Sequence, residues 1–267
     1  MTGPAAGRGF RVVSVDLWDT VLTVGDRAAA TAWRVTEFTR VLAEFGHHIP
    51  EQDLAVAVGS VLDEHARRQR HTGWQSSPAD QVSEILSQLT IPAAPQLLLL
   101  LVVVHSHARL RACPEPVPGA VLALTRLRSA GHTLVLSSNT LTCPGRVSRR
   151  ILDDHELTDL FDHLCFSDQI GVAKPHPDFF AAVAAAASAT GSDILHIGDD
   201  WRIDVEGAVR AGFNAAWFNP ARKPRPTSAS AAAELSDIAA LPELAAGHPP
   251  VHVQQPAAAP PDPVLEA

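Results

Sequence analysis

The stretch Arg11-Val-Val-Ser-Val-Asp16-Leu-Trp18-Asp19-Thr20-Val-Leu22 constrains this chain more than any other, because an apolar run stops abruptly at an acid. Val12, Val13 and Val15 are β-branched and closely spaced, the pattern of a strand buried on both faces of a parallel sheet. Such a strand delivers the residue that follows it to the carboxyl edge of the sheet, where open α/β folds bind their ligands. Asp16 therefore belongs in a crevice; the alternative is an acid that only caps the next helix.

After Thr20 the character changes from strand to helix. Residues 28–45 are good helix formers with Trp33, Phe38, Val41, Leu42 and Phe45 at three- and four-residue spacings, and Gly46 stops the pattern. Residues 53–70, 79–89 and 96–110 read as further amphipathic helices with no strand alternation between them, so 24–110 is expected to be an all-helical insertion. From residue 118 onward helix and strand alternate, with helices at 119–130, 144–155, 177–190 and 203–211 and strands at 133–137, 163–166, 194–197 and 215–218. This alternation predicts an α/β fold, a Rossmann-like parallel sheet with helices on both faces and right-handed crossovers, built from residues 8–23 and 111–246. A short helix at 237–246 is expected to pack back on that core, and the Pro-, Ala- and Gln-rich residues 247–267 read as a disordered tail.

With 267 residues, of which 46% are hydrophobic, the chain can bury a sizeable core. A net charge of −8 without any long basic run argues against nucleic acid as a partner, since phosphate tracks need clustered Lys and Arg. The short Arg67-Arg68-x-Arg70 reads as a solvated helix face. Cys113, Cys143 and Cys165 are odd in number and form no CxxC pair, which fits a reducing compartment. The first residues offer no apolar signal segment, and the longest apolar run, 97–104, is too short for a bilayer and reads as a buried helix segment. Cytoplasmic location and no membrane partner are the resulting expectations. His47-His48 and His105-x-His107 lack metal-ligand spacing. His176 is kept as a substrate contact, and Cys143 has no base partner that would make it a nucleophile.

Three later stretches bear on Asp16: Leu134-Val-Leu-Ser-Ser138-Asn139, Lys174-Pro175, and Gly198-Asp199-Asp200-x-x-x-Asp204. The chain uses arginine almost everywhere, and Lys174 and Lys223 are its lysines. A compact ammonium reaching into a tight site is a reason for the exception at 174. The acids that follow the strand 194–197 can converge on one hard cation, with Gly198 expected to permit a tight turn; helix capping is the alternative. In this order and number the motifs resemble those of the haloacid dehalogenase superfamily of aspartyl-nucleophile hydrolases.

The resemblance implies a helical cap between the first and second motifs, closing over the site and selecting the substrate. It also implies Asp16 as nucleophile and Lys174 as the balancing charge. Ser138 and the Asn139 backbone become donors to the transferring group, with Thr20 and Asn139 in substrate binding. Mg2+ would be held by Asp16, Asp199 and the Trp18 backbone carbonyl, with Asp204 acting behind these ligands or through water. The partner would be a small molecule, phosphorylated on the leading reading.

One position departs from the pattern. Phosphatases of this family carry a second Asp two residues after the nucleophile, where it protonates the leaving group. Here Trp18 stands in that place and Asp19 follows one residue later, pointing elsewhere. The dehalogenases of the family have an aromatic residue there, which brings carbon–halogen chemistry into view, with Arg34 as a cap partner for a substrate carboxylate. Those enzymes lack the full acidic fourth motif that this chain retains. The leading expectation is therefore a magnesium-dependent phosphohydrolase, followed by a 2-haloacid dehalogenase-like hydrolase and by a non-catalytic binding protein of the same fold.

Overall fold

The structure, a computed structural model, describes residues 9–226 and 232–247. Six parallel strands form one sheet in the order β3-β2-β1-β4-β5-β6: β1 Val12–Val15, β2 Thr133–Ser138, β3 His163–Phe166, β4 Ile194–Gly198, β5 Asn214–Phe218 and β6 Ala233–Leu235. The first strand is central, with Ser14 level with Val135 on one side and His196 on the other. The chain builds outward from β1 to β3, then returns to the other flank at β4. The strand order thus reverses between β1 and β4, the position at which such sheets leave a crevice.

The helices, in chain order, are α1 Arg27–Glu44, α2 Glu51–Thr72, α3 Pro78–Gln88, α4 Pro95–His107, α5 Ala120–Ser129, α6 Gly145–Asp154, α7 Ser167–Ile170, α8 Pro177–Ala186, α9 Gly207–Arg210 and α10 Leu241–Ala245. Odd-numbered valines of β1 and their neighbours Leu134, Leu136, Leu195 and Ile197 pack with residues of α5, α6 and α10 on one face. Val12, Val135 and Ile194 pack with Phe179, Phe180 and Val183 of α8 on the other. Both faces are apolar because each is covered, as a parallel sheet requires. Helices α1 to α4 enclose a separate apolar cluster that includes Phe38, Leu42, Val58, Ile85, Leu97 and Leu101.

The two connections between these helices and the sheet run side by side: Thr23 N–H donates to Glu115 O at 2.8 Å and Asp26 N–H to Ala112 O at 2.7 Å. The helices also meet the sheet's loops directly. Ala173 N–H donates to Gly73 O at 2.8 Å, and the Gln75 and Gln81 side chains donate to Thr140 O at 2.7 Å and Leu141 O at 2.9 Å. Gly73 ends α2 with φ 73°, and a Cβ there would lie 2.4 Å from Ala173 O, so this approach needs a glycine. Arg70 pairs with Asp200, and Arg68 lies 3.7 Å over the Trp74 ring, so the basic run on α2 makes structural contacts and is not merely a solvated face.

Several boundaries differ from expectation. The helix expected at 177–190 ends at Ala186, where Ser188 turns with φ 47°. The helix expected at 203–211 starts earlier, at Trp201, where Asp200 caps it by accepting from Arg202 and Ile203 N–H, and it runs as a π-helix through Glu206 before α9. The strand β6, in a segment without strand alternation, is recruited by pairing with β5. The segment 97–104, expected to be buried, is buried on one side only. Leu97 and Leu101, four apart, face the other helices, whereas Leu99, Leu100 and Val103 are 65%, 43% and 46% exposed. Apart from Gly247, the expected tail lies outside the described residues. Among the described residues no helix is long and apolar enough to cross a membrane.

This one-sided burial sets an expected contrast in stability. Leu101→Ala should cost about 2–5 kcal/mol, and Leu99→Ala should stay within about 0.5 kcal/mol. Chemical denaturation measures both, and equal costs would contradict the burial pattern.

Candidate active site

The carboxyl ends of β1, β2 and β4 bring the four sequence motifs together. Asp16 follows β1 directly, its N–H donating to Ile197 O of β4 at 2.9 Å, so its position is fixed by the sheet ladder. Lys174 arrives from the loop between α7 and α8 and is 1% exposed. Its Nζ donates to Asp16 Oδ1, Asp204 Oδ1 and Ser137 O, each at 2.7 Å. Three acceptors satisfy the three donors of a buried ammonium.

Asp199 completes an acidic trio. One carboxylate oxygen from each of Asp16, Asp199 and Asp204 lies within 4.8 Å of the other two. Asp204 reaches this point from the π-helical turn, where its Oδ2 accepts from Asp200 N–H at 3.0 Å. Gly198 makes room for it. A Cβ at 198 would lie 2.2 Å from Asp204 Cγ, while the backbone there has no positive φ. The glycine expected to permit a tight turn is thus needed for close approach of a side chain.

One ammonium faces three carboxylates in a buried place, and the charges respond accordingly. Burial pushes Asp16 up from 3.8 to about 8 against the pull of Lys174, with Asp204 and Asp199 adding repulsion. Burial likewise raises Asp199 to about 7. For Asp204 burial is outweighed by Lys174 and by the His196 hydrogen bond, and its carboxyl is held below the ordinary value. Lys174 is held above its ordinary value because the two partner carboxylates outweigh its burial. Excess negative charge of this kind, on hard oxygen donors, fits a divalent cation such as Mg2+.

Asn139 has both ends of its side chain committed to the lysine loop. Lys174 N–H donates to its Oδ1 and its Nδ2 donates to Lys174 O, both at 2.8 Å. The side chain therefore positions Lys174, and its backbone is what remains for a substrate. Ser138 is fully buried, its hydroxyl donating weakly to Asn139 O at 3.4 Å. Thr20 is fully buried too, with a hydroxyl that has no partner. Trp18 is half-buried beside Asp16. Asp19 turns with φ 57°, accepts from Val24 N–H at 3.0 Å and pairs with Arg27 at 3.6 Å, so it is engaged locally and does not join the trio. Asp200 serves as helix cap and partner of Arg70. His176 caps α8 through its Nδ1, 3.3 Å from Asp178 N, instead of facing the trio. Burial raises the Cys143 thiol to about 11, so it is not a thiolate.

A buried polar row behind the acids escaped the sequence reading. Ser137, Ser14, His196 and Asp204 are linked in series, with Ser14 Oγ 2.6 Å from Ser137 Oγ and 2.9 Å from His196 Nδ1, and His196 Nε2 3.3 Å from Asp204 Oδ1. Burial lowers the His196 pKa, so a neutral ring donates Nε2–H to Asp204 and accepts at Nδ1 from Ser14. The signal was present: Ser14 lies two residues before Asp16 and so shares its face, and His196 interrupts an apolar strand.

A family model described as haloacid dehalogenase-like hydrolase matches residues 10–212. A glyceraldehyde 3-phosphate phosphatase of Pyrococcus abyssi is 30% identical over 136 residues, 50% of this chain and 55% of that protein. A phosphoglycolate phosphatase of Cereibacter sphaeroides is 35% identical over 114 residues, 43% and 50% of the two chains. The chain thus spans about half the length of the curated relatives it matches. Among solved structures, a 2-haloacid dehalogenase of Pseudomonas syringae has a TM-score of 0.65 at 24% identity, covering 88% of this chain and 97% of its own. The HAD-hydrolase YfnB of Bacillus subtilis, bound to magnesium, has a TM-score of 0.62 at 19% identity, covering 89% and 99%. At these identities the two structures establish the shared fold.

The raised carboxyls set a pH dependence for the metal-free protein. Asp16 and Asp199 hold protons more tightly when folded than at their ordinary 3.8, so their contribution to stability is full below about pH 4 and is lost as pH rises through about 7 to 8. Buried neutral His105 and His196 gain stability as pH rises through their ordinary 6.5, so the carboxyl effect is read above that range, where the melting temperature in chelator should fall between about pH 7.5 and pH 9. A flat or rising profile would contradict the charge imbalance.

Proposed function

Because the chain belongs to the haloacid dehalogenase-like hydrolase family, we propose that it hydrolyses a phosphate monoester of a small metabolite, using Asp16 as nucleophile and Mg2+ as cofactor. The observation that carries this reading is the convergence of Asp16, Asp199 and Asp204 on one point with a single ammonium to balance them. A metal-independent dehalogenase has no need of such a trio. On this reading residues 8–23 and 111–246 form the catalytic core and 24–110 the cap, and the phosphatase names among the curated relatives agree with it.

The residues divide the work as follows. Asp16, Asp199 and Asp204, with the Trp18 carbonyl, would hold Mg2+, which when bound supplies positive charge to a phosphoryl group approaching an anionic nucleophile. A carboxylate oxygen of Asp16 attacks phosphorus, the bond to the leaving oxygen breaks, and an aspartyl-phosphate forms on Asp16. Lys174 neutralises charge on Asp16 and on the transferring group, while Ser138, the Asn139 backbone and Thr20 donate hydrogen bonds to its oxygens. Water then attacks the acyl-phosphate and returns Asp16. The Ser14–His196 row keeps Asp204 oriented toward the lysine from behind.

Trp18 supports a second reading, 2-haloacid dehalogenation, because it leaves no carboxyl beside the nucleophile to protonate an alkoxide. A panel of phosphate monoesters and 2-haloacids, each with Mg2+ and with chelator, decides between them: the phosphatase reading requires Mg2+-dependent phosphate release and fails if only haloacids turn over in chelator. Asp16→Asn should lower kcat on the order of 10⁴-fold or more while the protein stays folded by circular dichroism, since the replacement is nearly isosteric. Wild-type-like turnover would remove Asp16 from its role.

The missing acid also predicts a pattern of substrates. General acid–base catalysis contributes about 10²- to 10⁴-fold, most where the leaving group is poor. Wild type should therefore cleave acyl and aryl phosphates far better than alkyl phosphates, and Trp18→Asp should raise alkyl turnover selectively. A leaving-group series on both proteins at fixed Mg2+ measures this. A flat dependence for wild type would mean that another group supplies the proton.

A further inference from the structure

The two lysines of this chain are mounted in the same way. Each stands before a proline, in Lys174-Pro175 and Lys223-Pro224. Each also has its backbone gripped at both ends by the side chain of an asparagine that directly follows a strand. Asn139, after β2, accepts from Lys174 N–H and donates to Lys174 O, both at 2.8 Å. Asn219, after β5, accepts from Lys223 N–H at Oδ1 and donates to Lys223 O from Nδ2, both at 2.9 Å. The first clamp serves a lysine of the active site, while the second lysine takes no part in that chemistry.

The second clamp is built as firmly as the first. Asn219 is 2% exposed, its N–H donates to Leu235 O of β6 at 2.7 Å, and its Nδ2 also reaches Glu234 Oε1 at 2.7 Å. Between the asparagine and the lysine the chain turns back through Arg222, whose φ of 51° lies in the left-handed region that few residues with a side chain adopt. A lysine that only solvates a surface loop needs no such fixed backbone.

Lys223 borders a cavity of about 380 Å³ whose walls include Asp19, Thr23, Asp199, Phe218 and Asn219. Asp199 belongs both to this wall and to the acidic trio, so the cavity adjoins the point where the three carboxylates meet. Raised mainly by burial, the Asp199 carboxyl feels the Lys223 ammonium as a small opposing pull. Among the described residues no acceptor holds Lys223 Nζ. Asp19, the other acid of the cavity, is already matched by Arg27 and the Val24 N–H. With a divalent cation in the trio, that cation and Lys174 balance Asp16, Asp199 and Asp204, and Lys223 is left as surplus positive charge. Thr23 Oγ1 accepts from Glu115 N–H at 3.1 Å, and its hydroxyl proton has no acceptor among the described residues. The cavity thus offers a fixed ammonium and a hydroxyl donor to an anion.

We propose that Lys223, with the Thr23 hydroxyl, binds a second phosphate group carried by the leaving part of the substrate, so that the substrate is a small bisphosphate reaching from Asp16 into this cavity. The first phosphate rests on the phosphatase reading above; the second rests on the clamped lysine and the cavity it borders. A tetrahedral dianion suits a point-charge donor, whereas a planar carboxylate is matched best by the guanidinium fork that this chain uses almost everywhere else. Lys223 is exposed at the rim, so a dianion there keeps part of its hydration, which a fully buried site would strip away.

The test uses full-length Asp16→Asn protein with Mg2+, so that binding is read without turnover. Calorimetry compares propane-1,3-diyl bisphosphate with 3-hydroxypropyl phosphate. The bisphosphate should bind about tenfold more tightly, the low end for a hydrogen bond to a charged group, and Lys223→Met added to Asp16→Asn should bring that ratio close to one. Equal affinity for the two ligands before the substitution would overturn the subsite. A ratio that survives it, with both ligands weakened alike, would make Lys223 a partner of the acidic trio only and overturn the subsite as well. If 3-phosphonooxypropanoate binds as tightly as the bisphosphate, the phosphate is overturned in favour of a carboxylate. Lys223-dependent binding of inorganic phosphate to protein already saturated with 3-hydroxypropyl phosphate would overturn the bisphosphate in favour of free phosphate. Phosphate release by wild type from both esters without the binding preference would overturn the subsite alone. The preference without any phosphate release by wild type would instead overturn the catalytic reading and leave the subsite standing.

Discussion

The Lys174 ammonium, enclosed between Asp16, Asp204 and the Ser137 carbonyl, is the interaction on which the rest of this site depends. Removing any one of these acceptors would leave a buried ammonium with an unsatisfied donor. That requirement reaches outward. Asn139 clamps the lysine's backbone, Gly198 clears a path for Asp204, and the Ser14–His196 row holds Asp204 from behind. The arrangement remains short of positive charge even so, and Asp16 and Asp199 are displaced upward, first by burial and then by repulsion from the neighbouring carboxylates.

The sheet supplies the geometry. Asp16 and the loop bearing Asp199 and Asp204 leave adjacent strands, β1 and β4, at the point where strand order reverses, so that no helix connects them across the crevice. The inserted helices approach the same end and are tied to it by backbone and amide contacts at Gly73, Gln75 and Gln81 and by the Arg70–Asp200 pair. Asp200, an acid inside the metal-like motif, is thereby spent on joining helix cap to insertion.

Trp18 links the two sides. It stands two residues after Asp16, and Arg109 of the insertion lies over its ring. On the proposed phosphatase reading, this residue also leaves the leaving group without a neighbouring carboxyl to protonate it. Asp19 does not compensate: the left-handed turn at that residue sends its carboxylate to Val24 and Arg27.

The sequence by itself determined the parallel sheet, the helical insertion and the order of the four motifs. These follow from local information, namely β-branched runs, three- and four-residue apolar spacing and acids placed just past strands. Only the tertiary structure decided that Asp200 caps its helix and pairs with Arg70, that Asn139 serves Lys174, that Gly198 is needed for Asp204 and that His196 stands behind the site. It also decided that the 97–104 segment is half exposed and that 233–235 joins the sheet as β6. Each of these depends on what another part of the chain places nearby. Periodicity reports which face a side chain occupies, but hydrogen-bond partners, orphaned charges and close approaches are set by residues far away in sequence.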